Sequence, residues 1–391
     1  MTNQSSTHFD VVVIGAGPAG SSCATMLARN GVSVLLIDKA YFPRDKICGD
    51  CINPRSWDYF RLMEVDKEVA ASSQVIEQII VSSRGGRVLK IRVENSRDGN
   101  LSSSSSPFVA MKRSKLDSIL LQRAVAAGIT FFQSTSLESI GCDPESDEEW
   151  SLSLKMAGQA GILEVFCKFV VGADGRNSRV AHLLEPKGKE INIQGDGESR
   201  RVGVQFMTAR PETLGRSVTM FFFEGGYGGI VGVSEIEANV AVVTTRELAA
   251  LALEDFDMFR SRTINTNKFV LQTAPYLAPL GKISSAFPIT PRRSRTFHPR
   301  SFLIGDARYT AEPFTGQGTF FAIQDGVTTA GRIAASLGFL GKRPRIAWKS
   351  HAMANTLFSP ILRGERSVET LLKIGGRFEG AARLVARSVI S

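Results

Sequence analysis

The 391-residue sequence predicts an α/β fold assembled discontinuously: a doubly wound first domain, a β-sheet-rich lobe inserted into it, and a helical C-terminal tail. Three observations predict it. First, the apolar run FDVVVI (9–14) leads into Gly15-x-Gly17-x-x-Gly20, a helical pattern over 21–30, and a second apolar run ending at Asp38. Second, two later apolar runs end at Asp174-Gly175 and at Gly305-Asp306, as further strands of the same sheet would. Third, short alternating or β-branched runs (EQIIVSS, RVLKIRV, RVGVQFMTA, SVTMFFF, NVAVVTT) fall between those segments and predict a separate sheet.

The first element is a strand, turn, helix, strand unit with an acid at its end. Gly15 permits the tight turn and Gly17 lets a pyrophosphate approach the backbone. Gly20 lets helix and strand pack closely, and Gly31 can stop the helix. The helix N-terminus attracts phosphate charge, and Asp38 can take ribose hydroxyls. This is a Rossmann-like dinucleotide site. Residues 11–28 carry no charge, but no Lys or Arg precedes them and three glycines and a proline interrupt them. A signal peptide or membrane span is therefore not expected there.

The loop after the second strand, FPRDKICGDCINPR (42–55), holds Cys48 and Cys51 in C-x-x-C spacing. Such a pair can hold zinc, form a redox disulfide, or do neither. A zinc site needs a second ligand pair, and the chain offers only Cys23, Cys142, Cys167 and four scattered histidines. No metal is expected. The low, odd cysteine count fits a reducing cytosol, so a cytoplasmic location is expected.

Taken together, the N-terminal fingerprint, VVGADGRNSRVA and SFLIGDARYTAEPFTGQGTFFAIQDG resemble the three FAD motifs of the p-hydroxybenzoate hydroxylase-like flavoproteins. The P-R-x-K-x-C-G pattern of the cysteine loop resembles the mark of the geranylgeranyl reductase family within that class. MKRSKLDSILLQRAVAAGI (111–129) and GGYGGIVGVSEIEANVAVV (225–243) extend the resemblance. It implies FAD, with NAD(P)H a candidate electron donor. It also implies a cofactor set of Gly15, Gly17, Ala19, Gly20, Asp38, Lys39, Arg44, Cys48, Gly49, Arg113, Leu137, Asp174, Gly305, Asp306, Pro313, Gly316, Gly318 and Thr319. Asp306 would bind the ribityl chain. The helix after Gly318 would point its N-terminus at the flavin pyrimidine edge, where a reduced flavin is negative. Cys48 would lie beside the ring with Gly49 admitting close approach, while Cys51 would be structural.

The activity implied is hydride transfer between flavin and a carbon–carbon double bond of an apolar, prenyl or polyketide-like substrate. Cys48 and Tyr227 are candidate proton donors. Flavin monooxygenases of aromatic or polyketide-like compounds share the same three motifs and are the alternative. The halogenase signature W-x-W-x-I-P is absent. One departure from the reductases is YGGIVG, where Gly, Ile and Val replace the usual Trp and Phe-Pro. Phe221, Phe222 and Phe223 alternate faces on a strand, and one or two of them are candidates to line an apolar pocket. Phe314, Phe320 and Phe321 flank the third motif.

On this reading the FAD-binding domain comprises 1–75, 105–185 and 290–335, and the substrate domain 76–104 and 186–289. The segment 336–391 is a basic helical tail. Its last 51 residues hold ten Lys or Arg against three Glu, a net +7 of the chain's +9. That asymmetry admits peripheral contact with an anionic membrane. No nucleic-acid module is recognisable, and no pattern specifies an oligomer.

Overall fold

The computed structural model describes residues 7–93, 106–142, 149–184, 201–289, 294, 298–311, 313 and 316–339. Phe314 and the basic tail beyond residue 339, with its expected helices and membrane contact, lie outside the described residues.

The chain begins with β1 (Thr7–Ile14), α1 (Pro18–Ala28) and β2 (Val34–Ile37), the predicted opening unit. Next come β3 (Cys51–Ile52), α2 (Ser56–Met63), α3 (Asp66–Ala71), β4 (Gln74–Val75), β5 (Gln78–Ser82), β6 (Val88–Arg92) and β7 (Val109–Ala110). After α4 (Arg113–Ala126) follow β8 (Thr130–Phe132), β9 (Thr135–Cys142), β10 (Trp150–Met156), β11 (Leu163–Gly172) and α5 (Arg179–Leu183). The strands β12 (Val202–Ala209), β13 (Ser217–Phe223), β14 (Gly226–Gly232) and β15 (Glu237–Thr244) precede α6 (Arg246–Glu254), α7 (Phe256–Arg262) and α8 (Lys268–Thr273). The described part closes with β16 (Ser284–Ala286), β17 (Ser301–Leu303) and α9 (Gly318–Ser336).

Two seven-stranded sheets organise these elements. The first runs β8-β2-β1-β11-β10-β9, with β17 beside β11. Its β8, β2, β1, β11 and β17 are parallel neighbours, whereas β10 pairs antiparallel on both sides. Parallel strands are covered on both faces, so they read as unbroken apolar runs. Val11, Val12 and Val13 and Leu35, Leu36 and Ile37 accordingly are fully buried. Side chains of α1, α4 and α9 pack with Val11, Val13, Val34 and Leu36 on one face.

The second sheet runs β16-β12-β15-β14-β13-β5-β6 and contains all five runs read as strands from the sequence. Period-2 alternation gives it two distinct faces. Phe206, Phe221, Phe223, Val240 and Val242 pack with Phe259, Ile264 and Val270 of α6–α8 and their linkers. Each buried Phe there contributes roughly 1.5–3 kcal/mol. The opposite face carries Val218, Met220, Gly229, Val231, Ala241 and Gly203, and it turns toward the first domain. A small third sheet, β3-β7-β4, carries Cys51.

Candidate functional site

The register of the first sheet brings the predicted motifs together. Ile14 lies opposite both Ile37 and Gly172, and Gly172 opposite Leu303. The residues just beyond these strand ends are Gly15, Asp38, Asp174 and Gly305-Asp306. They emerge along one edge, at the carboxyl ends of parallel strands, where open α/β sheets bind ligands. Gly15 has φ +105° and almost touches the neighbouring loop: a Cβ there would sit 2.5 Å from the Ala173 carbonyl oxygen. A Cβ on Gly20 would sit 1.8 Å from the Gly15 oxygen, so only glycine lets α1 leave the turn at this angle.

A cavity of about 810 Å³ opens along this edge and continues beneath the second sheet. Gly15, Gly17, Ala19, Asp38, Lys39, Arg44, Cys48, Gly49, Arg113, Leu137, Asp174, Asp306, Pro313, Gly316, Gly318, Thr319 and Tyr227 all line it. Of the cofactor set expected from the sequence, Gly20 and Gly305 are not among its lining residues, and Phe320 and Phe321 pack in a core cluster instead. The Phe221–Phe223 expectation is corrected: none of the three lines the cavity. Phe221 and Phe223 face the helices, and Phe222 backs Tyr227 with ring centroids 6.2 Å apart. Met220 and Gly229 take the lining positions instead.

The donors fit a dinucleotide. Helices α1 and α9 both start at the cavity, and neither N-cap side chain among the described residues caps its helix, so both N-termini present their dipole to an anionic ligand. A Cβ on Gly17 would meet only the Arg44 guanidinium, at 3.2 Å, leaving backbone open to a phosphate. Arg44 lies 3.8 Å from Asp38 through its Nε and 3.5 Å from Asp117, and that buried Nε has no hydrogen-bond partner among the described residues. Asp38 accepts the N–H groups of Ala16 and Ala40, each at 2.8 Å, which fixes the carboxylate at the strand end. Among the described residues none donates a hydrogen bond to the Asp306 carboxylate, which suits a ligand hydroxyl. Asp174 borders the cavity and also shapes the chain locally. It accepts from Ser178 Oγ (2.5 Å) and the N–H groups of Arg179 (2.6 Å) and Val180 (3.2 Å), so its side chain organises the start of α5.

The cysteine loop closes the cavity between the two sheets. Burial pushes the Cys48 thiol up from its ordinary 9.0; the Arg113 guanidinium and the Asp50 N–H, both hydrogen-bonded to the sulfur, pull it partly back. Burial also opposes charge on Arg113, but a two-point pair with Asp117 (3.0 and 3.1 Å) and the contact with Cys48 outweigh it and hold the guanidinium charged. Asp50 is 3% exposed, and burial pushes its carboxyl up to about 7. Cys51 also borders the cavity, and burial drives its thiol far up. Both cysteines are free thiols.

Several site residues went unnoticed in the sequence. Lys46 lines the cavity, and burial, aided by Arg113 and Arg44, lowers its amine against the opposing pull of Asp306. Its place inside P-R-x-K-x-C-G was the available signal. Asp50 sits inside the loop, after Cys48-Gly49, whereas Asp117, Gln205 and Asn239 gave no signal, because they reach the loop only through tertiary pairing.

Comparison with known proteins agrees with this geometry. The family profile of the FAD binding domain matches residues 8–344. The digeranylgeranylglycerophospholipid reductase 2 of Methanopyrus kandleri is 26% identical over 333 residues, 84% of this chain and 77% of its own. The menaquinone reductase of Mycobacterium tuberculosis is 28% identical over 341 residues, 84% of this chain and 76% of its own. Among solved structures, the flavin-dependent halogenase CmlS superposes with a TM-score of 0.71 at 20% identity, over 85% of this chain and 59% of its own. Pseudomonas aeruginosa PqsL in complex with 2-aminobenzoylacetate also gives 0.71, at 18% identity, over 92% of this chain and 98% of its own. No helix among the described residues is long and apolar enough to cross a membrane. Motif geometry, open helix termini and family profile coincide, and the chain belongs to the FAD-binding flavoprotein family, with relatives of the geranylgeranyl reductase type.

Proposed function

We propose that this flavoprotein reduces a carbon–carbon double bond of an apolar substrate, prenyl or polyketide-like. One observation carries the reading: the cavity that Cys48 and Gly49 line is also lined by an apolar sheet face, formed by Val218, Met220, Gly229, Val231 and Ala241. Such a face holds a hydrocarbon by exclusion of water and offers no charge for a polar substrate. The named reductases of digeranylgeranylglycerophospholipid and menaquinone among its relatives support the same direction.

Bound FAD supplies the hydride, and NAD(P)H is a candidate source of its electrons. The chain supplies position and a proton. The α9 N-terminus, at the cavity wall, would favour negative charge on a cofactor held beside it. Burial keeps the Cys48 thiol protonated at neutral pH, so a proton is held at Sγ for the second carbon. The double bond thus becomes two C–H bonds, one hydrogen arriving as hydride and one as proton. Tyr227, at the end of the apolar face, is the other candidate donor. Adding candidate polyprenyl substrates to anaerobically reduced protein, and following flavin absorbance, tests the proposal. Substrate-dependent reoxidation without oxygen is expected; no reoxidation with any apolar alkene opposes it.

A further inference from the structure

The backbone of Cys48 is held on both sides by the second sheet, through the two peptide groups that flank its Cα. Its N–H donates to Gln205 Oε1 at 3.0 Å, and its carbonyl accepts from Asn239 Nδ2 at 2.8 Å. Gln205 lies on β12 and Asn239 on β15. The antiparallel register places Gln205 opposite Ala241 and Met207 opposite Asn239, so both amides project from one face, two residues apart. Their neighbours on that face include Gly203, Gly229, Val231 and Ala241, which offer them no side-chain partner.

Asn239 is 1% exposed. Its Nδ2 bonds the Cys48 carbonyl, while its buried Oδ1 has no partner among the described residues. A buried amide with one unmatched oxygen costs stability relative to an apolar residue of the same shape. Packing alone does not account for it; the bond to Cys48 does. The next residue, Gly49, has open space where a side chain would stand, so packing at that position does little to fix the loop.

We infer that Gln205 and Asn239 are positioning residues, which fix the Cys48 backbone so that its sulfur stays between Arg113 and the cavity. Gln205 acts as acceptor and Asn239 as donor. The inference rests on the reading that Cys48 serves the reaction, but its test does not.

The polarity of the two bonds sets the experiment. In FAD-loaded protein carrying Cys51→Ala, the alkylation rate of Cys48 by iodoacetamide is followed across pH by peptide mass spectrometry. Gln205→Glu keeps an acceptor and should match the parent. Gln205→Met removes it, and Asn239→Asp removes the donor; each should free the loop and speed alkylation ~10-fold. Equal rates for Gln205→Glu and Gln205→Met overturn the inference, as does a parental rate for Asn239→Asp. If an Asn239 variant does not fold, the Gln205 pair decides alone. Should this pattern appear while Cys48→Ala retains full turnover, the positioning stands and the proton role of the thiol falls.

Discussion

Asp50 caps helix α4 from a distant loop: its Oδ1 accepts the backbone N–H of Arg113, the first residue of the helix, at 3.1 Å. The carboxyl is buried beside Cys48 and titrates at about 7 instead of 3.8, because burial outweighs the pull of Arg113 and Lys112. A carboxyl raised on folding binds more protons in the native state. Its contribution is therefore fully present below pH 3.8 and is lost as pH rises through about 7. Asp50→Asn keeps an acceptor for Arg113 and tolerates the φ of +57° at this position. Denaturant unfolding should show the variant more stable at pH 8 by about 2–4 kcal/mol, with the difference vanishing toward pH 4. Equal stability at both pH values would show that the carboxyl is not held neutral.

Gly17→Val should empty the cofactor site. The added side chain meets the Arg44 guanidinium and closes the backbone approach at the α1 N-terminus. FAD affinity, measured by fluorescence titration, should fall about 100-fold, on the order of 3 kcal/mol. Undiminished affinity would place the pyrophosphate elsewhere.

Much of this was legible in the sequence, and what was not has a physical cause. Gly15, Gly17 and Asp38 announce themselves because strand, turn and helix are local, and Asp306 because its strand and Gly-rich turn are too. The Phe run misled: alternation fixed that neighbouring side chains oppose each other, but not which face the helices α6–α8 would cover. Asp117 and Asn239 were silent for a different reason. A buried aspartate on a helix and a buried asparagine on a strand read as surface residues until Arg113 and Cys48 reach them. The Cys48 loop was legible as a motif, yet its two carboxamide partners sit 157 and 191 residues away.

Gly229 should determine what the apolar face admits. A Cβ there would meet only Met220 Sδ at 3.5 Å and the Thr219 oxygen at 4.0 Å, ordinary contacts, so a side chain is accommodated by the fold. It would stand over the strip shared with Ala241. Gly229→Leu should keep normal FAD content and weaken binding of a polyprenyl ligand by at least about tenfold, read by calorimetry. Unchanged affinity would move the substrate off this face.

Cys48→Ala should retain FAD and lower turnover about 100-fold by removing the proton at Sγ. Cys51→Ala should turn over within about twofold of wild type, at a stability loss of roughly 1 kcal/mol for the deleted sulfur. Steady-state kinetics and thermal unfolding separate the two. Equal turnover losses would assign the loop a purely structural task.

Product mass tests the central claim most directly. The protein is reduced by dithionite in D₂O without oxygen, a polyprenyl substrate is added, and the product is weighed; a parallel sample receives ¹⁸O₂. The account predicts anaerobic product carrying two deuterons across the former double bond, and no ¹⁸O in either sample. Product that forms only when oxygen is admitted, and that carries ¹⁸O, would contradict it.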